Sequence, residues 1–190
     1  MKKREEQKEE RKQAILYAGL DLFVRKGYSA TKISDIAEKV NMSVGLLFHY
    51  FPSKEKLYEE LIRLGLNGPQ GIMELDQTKP LEFFELAAKT IFSYMVNPAV
   101  TKMFVLMGDA IMNEATPVTV KNLLSQISNV TLCVPIIEAG QKQGVFKEGN
   151  PLSLSTAFWC CIQGIAEEMA LHPETPCPEA DWVVDIIRKH

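Results

Sequence analysis

Residues 43–54 read SVGLLFHYFPSK and decide how the first part of the chain folds. Ser43 is well suited to begin a helix, because its hydroxyl oxygen can accept a hydrogen bond from a free backbone N–H of the first turn. The apolar and aromatic residues that follow favour a helix, and Pro52 ends it after about two turns. So short a helix cannot form a core alone, and one of its sides must therefore be anchored on neighbouring elements.

The segment before Ser43 predicts a second helix and a tight turn. A helix that begins at Thr31 directs Ile36 and Ala37 toward a core, and Ala37 is small enough for a second helix to approach closely. Asn41 then occupies a position that needs a left-handed backbone, where Asn is the best substitute for glycine. A helix, a tight turn and a short capped helix form a helix-turn-helix motif, whose second helix enters the major groove of DNA.

Two further helices flank this motif. Helical spacing of apolar residues predicts the first over residues 9–26, with Gly27 as its C-terminal stop. The fourth is predicted over residues 54–66 and carries apolar residues on more than one side, as expected of a helix that packs between two bodies. Asn, Gly and Pro at residues 67–71 then interrupt the pattern. We therefore expect two domains, residues 1–66 and residues 67–190.

The remaining sequence predicts five more helices, each of which begins at a proline. They cover residues 80–94, 98–113, 117–143 with a bend near Pro135, 151–171 and 178–187. Sustained alternation of apolar and polar residues, the mark of a strand, is absent apart from a short ambiguity at residues 145–147. The predicted fold class is all-α, with about nine helices. It combines an N-terminal three-helix helix-turn-helix domain and a C-terminal helical domain.

Residues 22–61, LFVRKGYSATKISDIAEKVNMSVGLLFHYFPSKEKLYEEL, resemble the DNA-binding domain of the TetR family of bacterial transcriptional repressors. Residues 138–169, EAGQKQGVFKEGNPLSLSTAFWCCIQGIAEEM, resemble the last third of many members. The resemblance implies a homodimer that binds a pseudo-palindromic DNA operator, blocks transcription, and is released by a small, largely apolar effector. The DNA-binding positions that it implies are Thr31, Lys32, Ser43, Val44, Gly45, Leu46, His49, Tyr50 and Lys54.

Two residues of the short helix depart from the family pattern. Leu46 stands where Thr, Ser or Ala is usual, and it offers an apolar contact, for example to a thymine methyl group. Phe48 stands where Tyr is usual, and we expect it to pack within the domain without reading DNA. Leu47 and Phe51 are expected to anchor the helix.

Methionine and phenylalanine are dense in the second domain, which is typical of a pliable apolar interior that accepts varied ligands. Helical spacing does not distinguish a pocket from plain core packing, so both interpretations stay open. The candidate effector-binding residues are Phe84, Phe92, Met103, Met107, Trp159 and Gln163. No resident cofactor is expected.

The last two helices can each form an apolar contact face. Two such helices from each subunit would form an intersubunit four-helix bundle, as in the TetR family. A dimer is also required by DNA recognition, because one short recognition helix covers only a half-site. The candidate interface residues are Phe158, Ile162, Gly164, Ile165, Trp182 and Ile186.

Charge and composition limit the function classes. The net charge is −3, but residues 1–60 contain 12 Lys and Arg against 10 Asp and Glu, whereas residues 61–190 contain 9 against 14. No paired nucleophile and base, glycine-rich phosphate loop or cysteine pair with zinc spacing occurs, so we expect neither an enzyme nor a metal site. The four cysteines are expected to be buried reduced thiols.

The location and the main alternative also follow from the sequence. The N-terminal residues MKKREEQKEERK lack the apolar region of a secretory signal, and no apolar run approaches the roughly 20 residues of a membrane span. A cytoplasmic protein without a membrane partner is therefore expected. The alternative function is a dimeric small-molecule carrier whose DNA-binding domain is vestigial, and salt-dependent DNA binding would distinguish the two.

Overall fold

The computed structural model describes residues 2–125 and 128–190. The described chain is helical, with one isolated β-bridge, and the all-α prediction is confirmed. The helices are α1 (Lys2–Ala30), α2 (Ile33–Lys39), α3 (Val44–Tyr50), α4 (Lys54–Met73), α5 (Pro80–Met95), α6 (Pro98–Met112), α7 (Val118–Leu124), α8 (Asn129–Leu132), α9 (Val134–Lys142), α10 (Pro151–Leu171) and α11 (Ala180–Val184).

The chain divides into two compact units. The first unit comprises Met1–Gly65 and Val105–Leu124, and the second comprises Leu66–Phe104 and Ser125–His190. The division after Gly65 lies next to the boundary expected at Leu66. The second unit, however, does not coincide with residues 67–190, because the end of α6 and all of α7 group with the first unit.

The core of the first unit is formed by one apolar stripe from each of α1 to α4. Ile15, Ile36, Leu47 and Leu57 are each fully buried, one from each helix. Their burial follows from the helical period, which places residues three or four positions apart on one side of each helix. The core also explains the small residue at Gly19, where a Cβ atom would lie 2.6 Å from a methyl group of Leu57.

Helix α4 is longer than predicted. It continues through residues 67–71 to Met73, although the Asn and Gly residues there were expected to interrupt it. The predicted end at Leu66 is therefore wrong. Gly68 and Gly71 have helical backbones with open space around them, because a glycine lowers helix stability without breaking the hydrogen-bond ladder.

The single bent helix predicted over residues 117–143 is instead divided into α7, α8 and α9. The last division falls at Cys133, and Pro135 lies in the first turn of α9. A proline fits a first turn because the backbone N–H that it lacks would have no partner there. The apolar segment Val118–Lys142 is long enough to pass for a membrane span by composition, but these divisions interrupt it.

The core of the second unit is aromatic. Phe84 of α5 makes edge-to-face contacts with Phe83, Phe146 and Phe158 at centroid distances of 5.2, 5.5 and 4.8 Å. Edge-to-face geometry places the positive edge of one ring against the negative face of another, which adds to the energy of apolar burial. These rings draw α5, α10 and the segment after α9 into one core.

Residues 145–147, where the sequence was ambiguous, pair with the C-terminal segment. The backbone N–H of Lys147 donates to the carbonyl of Ile187, and that of Lys189 donates to the carbonyl of Val145, each at 2.9 Å. The Lys147 ammonium also donates to the carbonyls of Asp185 and Ile186 at 2.9 and 2.8 Å. This short antiparallel pairing fixes the C-terminus and places Phe146 in the core.

Gly140 is a position where this core accepts no side chain. A Cβ atom there would lie 2.1 Å from the ring of Phe146. We expect Gly140→Ala to lower the free energy of unfolding by about 1–3 kcal/mol, since an overpacked core must shift its neighbours. Gly71→Ala, in an open helical position, should raise it by about 0.5–1 kcal/mol. Urea unfolding followed by circular dichroism measures both variants, and a stabilised Gly140→Ala would contradict this account of the core.

Candidate nucleic-acid interface

Helix α3 presents one face to solvent and buries the other. Leu47 is fully buried and Phe51, just after the helix, is 4% exposed. On the opposite side lie Gly45 and His49, both exposed. The predicted anchors are confirmed, and the outer side of the helix is free to approach another molecule.

The turn before α3 fixes its direction. Asn41 has a positive φ of 52°, as predicted, which brings the backbone N–H of Met42 within 2.9 Å of the carbonyl of Ala37. The Ser43 hydroxyl oxygen accepts a hydrogen bond from the backbone N–H of Leu46 at 3.2 Å, which confirms Ser43 as the N-cap. The hydrogen bonds that set the angle between α2 and α3 are therefore local to residues 37–46.

Lys54 does not extend toward solvent as a phosphate contact would require. Its ammonium donates to the carbonyls of Tyr28, Thr31 and Ser29 at 2.7, 2.9 and 3.4 Å. It also lies 4.3 Å from the centroid of the Tyr28 ring, a cation–π contact. Burial lowers the pKa of Lys54 from its ordinary value, consistent with an ammonium partly withdrawn from water. Lys54 thus joins the end of α1 to the start of α4.

Thr31 is likewise occupied within the domain. It is 1% exposed, and its hydroxyl donates to the carbonyls of Gly27 at 2.8 Å and Leu22 at 3.2 Å. The N-cap position of α2 is Lys32, without a side-chain cap. The prediction that the Thr31 hydroxyl caps α2 and meets phosphate is therefore wrong, because the hydroxyl satisfies carbonyls left open where Gly27 (φ 76°) ends the regular part of α1. Lys32 is exposed and stays a candidate.

The structure contradicts the expectation for one of the two residues that depart from the family pattern, Phe48. Leu46 is half-buried and lines a surface depression with Ala14 of α1 and with Val40, which follows α2. Phe48, expected to pack, is 44% exposed, and Val44, one turn earlier, is 39% exposed. The exposure of Phe48 was not predicted, because burial on a seven-residue helix depends on which flank the rest of the domain covers. Tyr50 is half-buried.

Ion pairs hold α1 against α2 and α4 around this face. Lys26 pairs with Asp35 at 2.8 Å and Lys12 with Glu60 at 2.7 Å. Asp21, only 4% exposed, pairs with Lys39 and with Arg25. A lysine held by a carboxylate contributes less to phosphate binding than a free one, so several cations of this unit serve the scaffold.

The candidate effector-binding residues are divided between the two units. Met107 belongs to the first unit, and the others belong to the second. Phe84 is fully buried, and Phe92 and Trp159 are 6% and 8% exposed, all within the core of the second unit. The half-buried Gln163 donates to the carbonyl of Phe104 at 3.1 Å and to the carboxylate of Glu167 at 2.7 Å. Met103 is also half-buried.

The candidate dimer residues differ in how far they are exposed to solvent. Phe158 and Ile162 are fully buried within the chain's own core, so they cannot form a subunit contact, and their assignment was wrong. Ile165 and Ile186 are half-buried against the same core. Gly164 is exposed with open space around it, and Trp182 is 65% exposed.

The outer face of α10 includes Gly164, which the sequence predicted for the interface, and residues that it did not predict. Ala157, Cys160 and Gly164 lie three or four positions apart and are exposed, and Leu171, at the end of the helix, is exposed as well. Cys160 was expected to be buried, and that expectation was wrong. Cys133, by contrast, is buried, and burial raises the pKa of its thiol to about 11. Among the described residues, no group of His, Cys, Asp and Glu is arranged to hold a metal ion.

Comparison with known proteins assigns the first part of the chain to a family. Residues 15–61 match the pattern of bacterial regulatory proteins, tetR family. The chain is 34% identical over 73 residues to the uncharacterized HTH-type transcriptional regulator YfiR of Bacillus subtilis, and the match covers 38% of this chain and 35% of YfiR. It is 27% identical over 84 residues to IcaR of Staphylococcus aureus, a negative transcriptional regulator of the biofilm operon icaADBC, covering 44% of this chain and 45% of IcaR. The chain thus spans less than half the length of these relatives.

Similarity to solved structures extends over nearly the whole chain. A TetR-like transcriptional regulator from Rhodococcus sp. RHA1 superposes with a TM-score of 0.70 at 20% identity, over 93% of this chain and 92% of that one. AibR, solved in complex with isovaleryl coenzyme A and operator DNA, superposes with a TM-score of 0.66 at 15% identity, over 92% and 94%. At these identities the likeness shows the fold. The family and the named relatives are regulators of transcription rather than enzymes, which confirms that expectation.

Lys54 generates a prediction about stability. We expect Lys54→Met, which keeps the aliphatic stem, to lower the free energy of unfolding by about 1–3 kcal/mol, because the partly buried hydrogen bonds to the carbonyls of Tyr28 and Thr31 are lost. Hydrogen–deuterium exchange of residues 15–61 should quicken in this variant. The control Lys32→Met changes an exposed lysine and should stay within about 0.5 kcal/mol of the parent protein. Equal stability of the two variants would show that the hydrogen bonds from Lys54 to the carbonyls do not stabilise the fold.

Proposed function

We propose that this chain, whose residues 15–61 place it in the TetR family of bacterial regulatory proteins, is a cytoplasmic transcriptional repressor. It binds a pseudo-palindromic DNA operator as a homodimer and leaves the DNA when a small, largely apolar effector binds its second unit. Repression is the sign proposed because IcaR, a relative over part of the chain, is a negative regulator.

The observation that carries the proposal is the outer face of α3. Its side chains are exposed, while Leu47 and the Ser43 cap hold the helix rigidly on the domain. A short helix that is anchored on one side and bare on the other fits the major groove, which is about 12 Å wide. Lys32, exposed just before α2, is placed to contact phosphate.

A dimer is proposed because one copy of α3 reads only a half-site. The outer faces of α10 and α11 support it, since Ala157, Cys160 and Gly164 form a line of small exposed side chains and Trp182 is largely exposed. Small side chains allow two helices to approach closely, and an exposed tryptophan gains strongly from burial in an interface. The proposed bundle therefore uses these residues in place of Phe158 and Ile162.

The effector is proposed to bind the second unit, among Met103, Gln163 and neighbouring apolar side chains. Both polar contacts of the Gln163 amide, to Phe104 and Glu167, lie within the chain, and a ligand could exchange for either of them. AibR, a neighbour in fold, was solved with both a coenzyme A ester and operator DNA. To lower the occupancy of the operator substantially, the effector needs to bind the DNA-free conformation more strongly than the DNA-bound one by a few kcal/mol.

The experiment that tests the function is selection of binding sites from a random double-stranded DNA library with the purified full chain. We expect an enriched inverted repeat, with affinity that falls steeply as salt rises because lysines displace counterions from phosphates. A folded protein that enriches no sequence and binds DNA at no salt concentration would overturn the proposal and leave a small-molecule carrier as the function.

His49 provides a direct test of the α3 face. Because its exposed imidazole can hydrogen-bond a base edge, His49→Ala should weaken operator binding by about 5- to 100-fold without changing the oligomeric state. Fluorescence anisotropy with labelled operator measures the affinity. The matched control is His172→Ala, which follows α10 and should bind normally. Unchanged operator affinity of His49→Ala would remove His49 from the interface.

Gly164 tests the proposed dimer. Gly164→Arg adds a large charged side chain at an exposed helical position with open space around it, so the subunit should fold while its self-association is lost. Analytical ultracentrifugation should show a monomer, and operator affinity should fall with it. Leu86→Arg, at an exposed position of α5, is the control and should stay dimeric. A dimeric Gly164→Arg would place the interface elsewhere.

A further inference from the structure

We propose that Val44 and Phe48 read thymine methyl groups in the operator half-site, so that apolar contacts contribute a large part of its sequence specificity. This inference rests on the proposed function and adds the chemical feature of the DNA that α3 recognises. It also moves the apolar reading role from Leu46, where the sequence placed it, to the opposite flank of the helix.

The geometry of α3 determines which side chains can reach a base. Successive residues are turned by about 100°, so Leu47 and Phe51 share one direction, while Gly45 and His49 point roughly opposite to it. Val44 and Phe48 occupy one flank between these two directions and are 39% and 44% exposed. The other flank, Leu46 and Tyr50, is half-buried. The side of α3 that would face a DNA groove therefore consists of one apolar flank next to a central histidine.

Val44 and Phe48 form a continuous apolar strip. Residues four positions apart are neighbours on a helix surface, so the isopropyl group and the ring lie one above the other. Gly45 lies beside them, and a Cβ atom there would meet nothing within 4 Å. Because Gly45 has no side chain of its own, the backbone can approach the floor of the groove closely enough for the two apolar side chains to touch base edges.

The chemistry of the major groove selects thymine as the partner. The base edges there carry hydrogen-bond donors and acceptors, and the thymine C5-methyl is the apolar group among them. Valine and phenylalanine side chains cannot satisfy donors or acceptors, so seating them on such groups would leave those groups without water or a partner. Contact with a methyl group instead removes apolar surface from water on both sides, which is favourable.

Other side chains that the family pattern assigns to this face are used inside the domain. The Thr31 hydroxyl and the Lys54 ammonium donate to backbone carbonyls, and the Ser43 oxygen accepts from the backbone of α3. Of the DNA candidates on or beside α3, the imidazole of His49 is the exposed polar side chain free of such a role in the described structure. Few polar side chains of α3 are therefore available to hydrogen-bond bases, and the apolar pair contributes a correspondingly larger share of the sequence specificity.

DNA, rather than another apolar surface, is the occupant that the surroundings favour. The strip is small and lies on the outer side of a helix-turn-helix, and residues 1–60 carry 12 cations against 10 carboxylates, while the rest of the chain is acidic. The exposed Lys32 and Arg25 belong to the same unit. An apolar strip with cations in its own unit matches the duplex, in which methyl groups in the groove are flanked by phosphates.

The test replaces single thymines of the selected operator with deoxyuridine, which removes the methyl group and leaves every hydrogen-bonding group in place. Affinity is measured by fluorescence anisotropy at one fixed salt concentration. We expect two thymine positions in each half-site at which the change weakens binding about fourfold, and about 15-fold when both half-sites are changed. At every other thymine, the affinity should stay within about twofold.

Variants of the protein assign each methyl group to a side chain. In Phe48→Ala one of the two deoxyuridine effects should disappear, and in Val44→Ala the other should, as a double-mutant cycle requires for direct contact. Phe48→Leu should retain its effect because the side chain stays large and apolar. The control Val118→Ala, at a 72% exposed position of α7, should retain both effects.

The outcomes separate the two proposals. If an operator is selected but deoxyuridine has no effect at any position, or the effects persist in both alanine variants, the thymine inference is overturned while the proposed function stands. If no operator is selected from the random library, the proposed function fails and this inference fails with it. Both side chains are exposed, so the alanine variants should fold, and unchanged circular dichroism spectra check that they do.

Discussion

The ammonium of Lys54 is the contact on which the geometry of the first unit depends. It donates hydrogen bonds to carbonyls at the end of α1 and in the segment before α2, and Lys54 itself lies at the start of α4. One cation therefore joins the start of α4 to the junction between α1 and α2, 23 to 26 positions earlier in the chain. The direction of α3 itself is set nearby, by the left-handed turn at Asn41 and the cap at Ser43. Lys54, to which the family resemblance assigns a DNA contact, thus contributes here to the scaffold that carries α3.

The same region contains an aromatic cluster that extends this anchor inward. Tyr58 is fully buried, and its ring centroid lies 4.9 Å from that of Phe23 and 4.8 Å from that of Tyr28, which also contacts Lys54. Burial raises the pKa of Tyr58 to about 12, with the charges of Asp109 and Tyr28 adding to the rise and the Thr116 hydroxyl opposing it. Residues 105–124 are thus electrically and sterically part of the unit that carries α3.

An exposed apolar residue in this chain indicates a contact surface only when the other side of its helix is packed against a core. Val44 and Phe48 on α3, and Trp182 on α11, would be unremarkable one at a time, since folded proteins expose much apolar surface. Each of them, however, lies on the outer side of an element whose inner side is fully packed. The proposed DNA contact and the proposed dimer contact follow from that arrangement, and the buried Phe158 and Ile162 are excluded from the interface for the same reason.

The sequence by itself determined the features that depend on adjacent residues: the all-α fold, the left-handed turn at Asn41, the cap at Ser43 and the helical anchors Leu47 and Phe51. These features are set by backbone conformation and hydrogen bonds over a few positions, which a local pattern records. Tertiary structure decided which polar groups were already in use, as with Thr31 and Lys54, and which flank of each helix was covered, as with Phe48 and Phe158. Helical periodicity defines the faces of a helix, but which of its flanks is covered depends on residues far away in the chain.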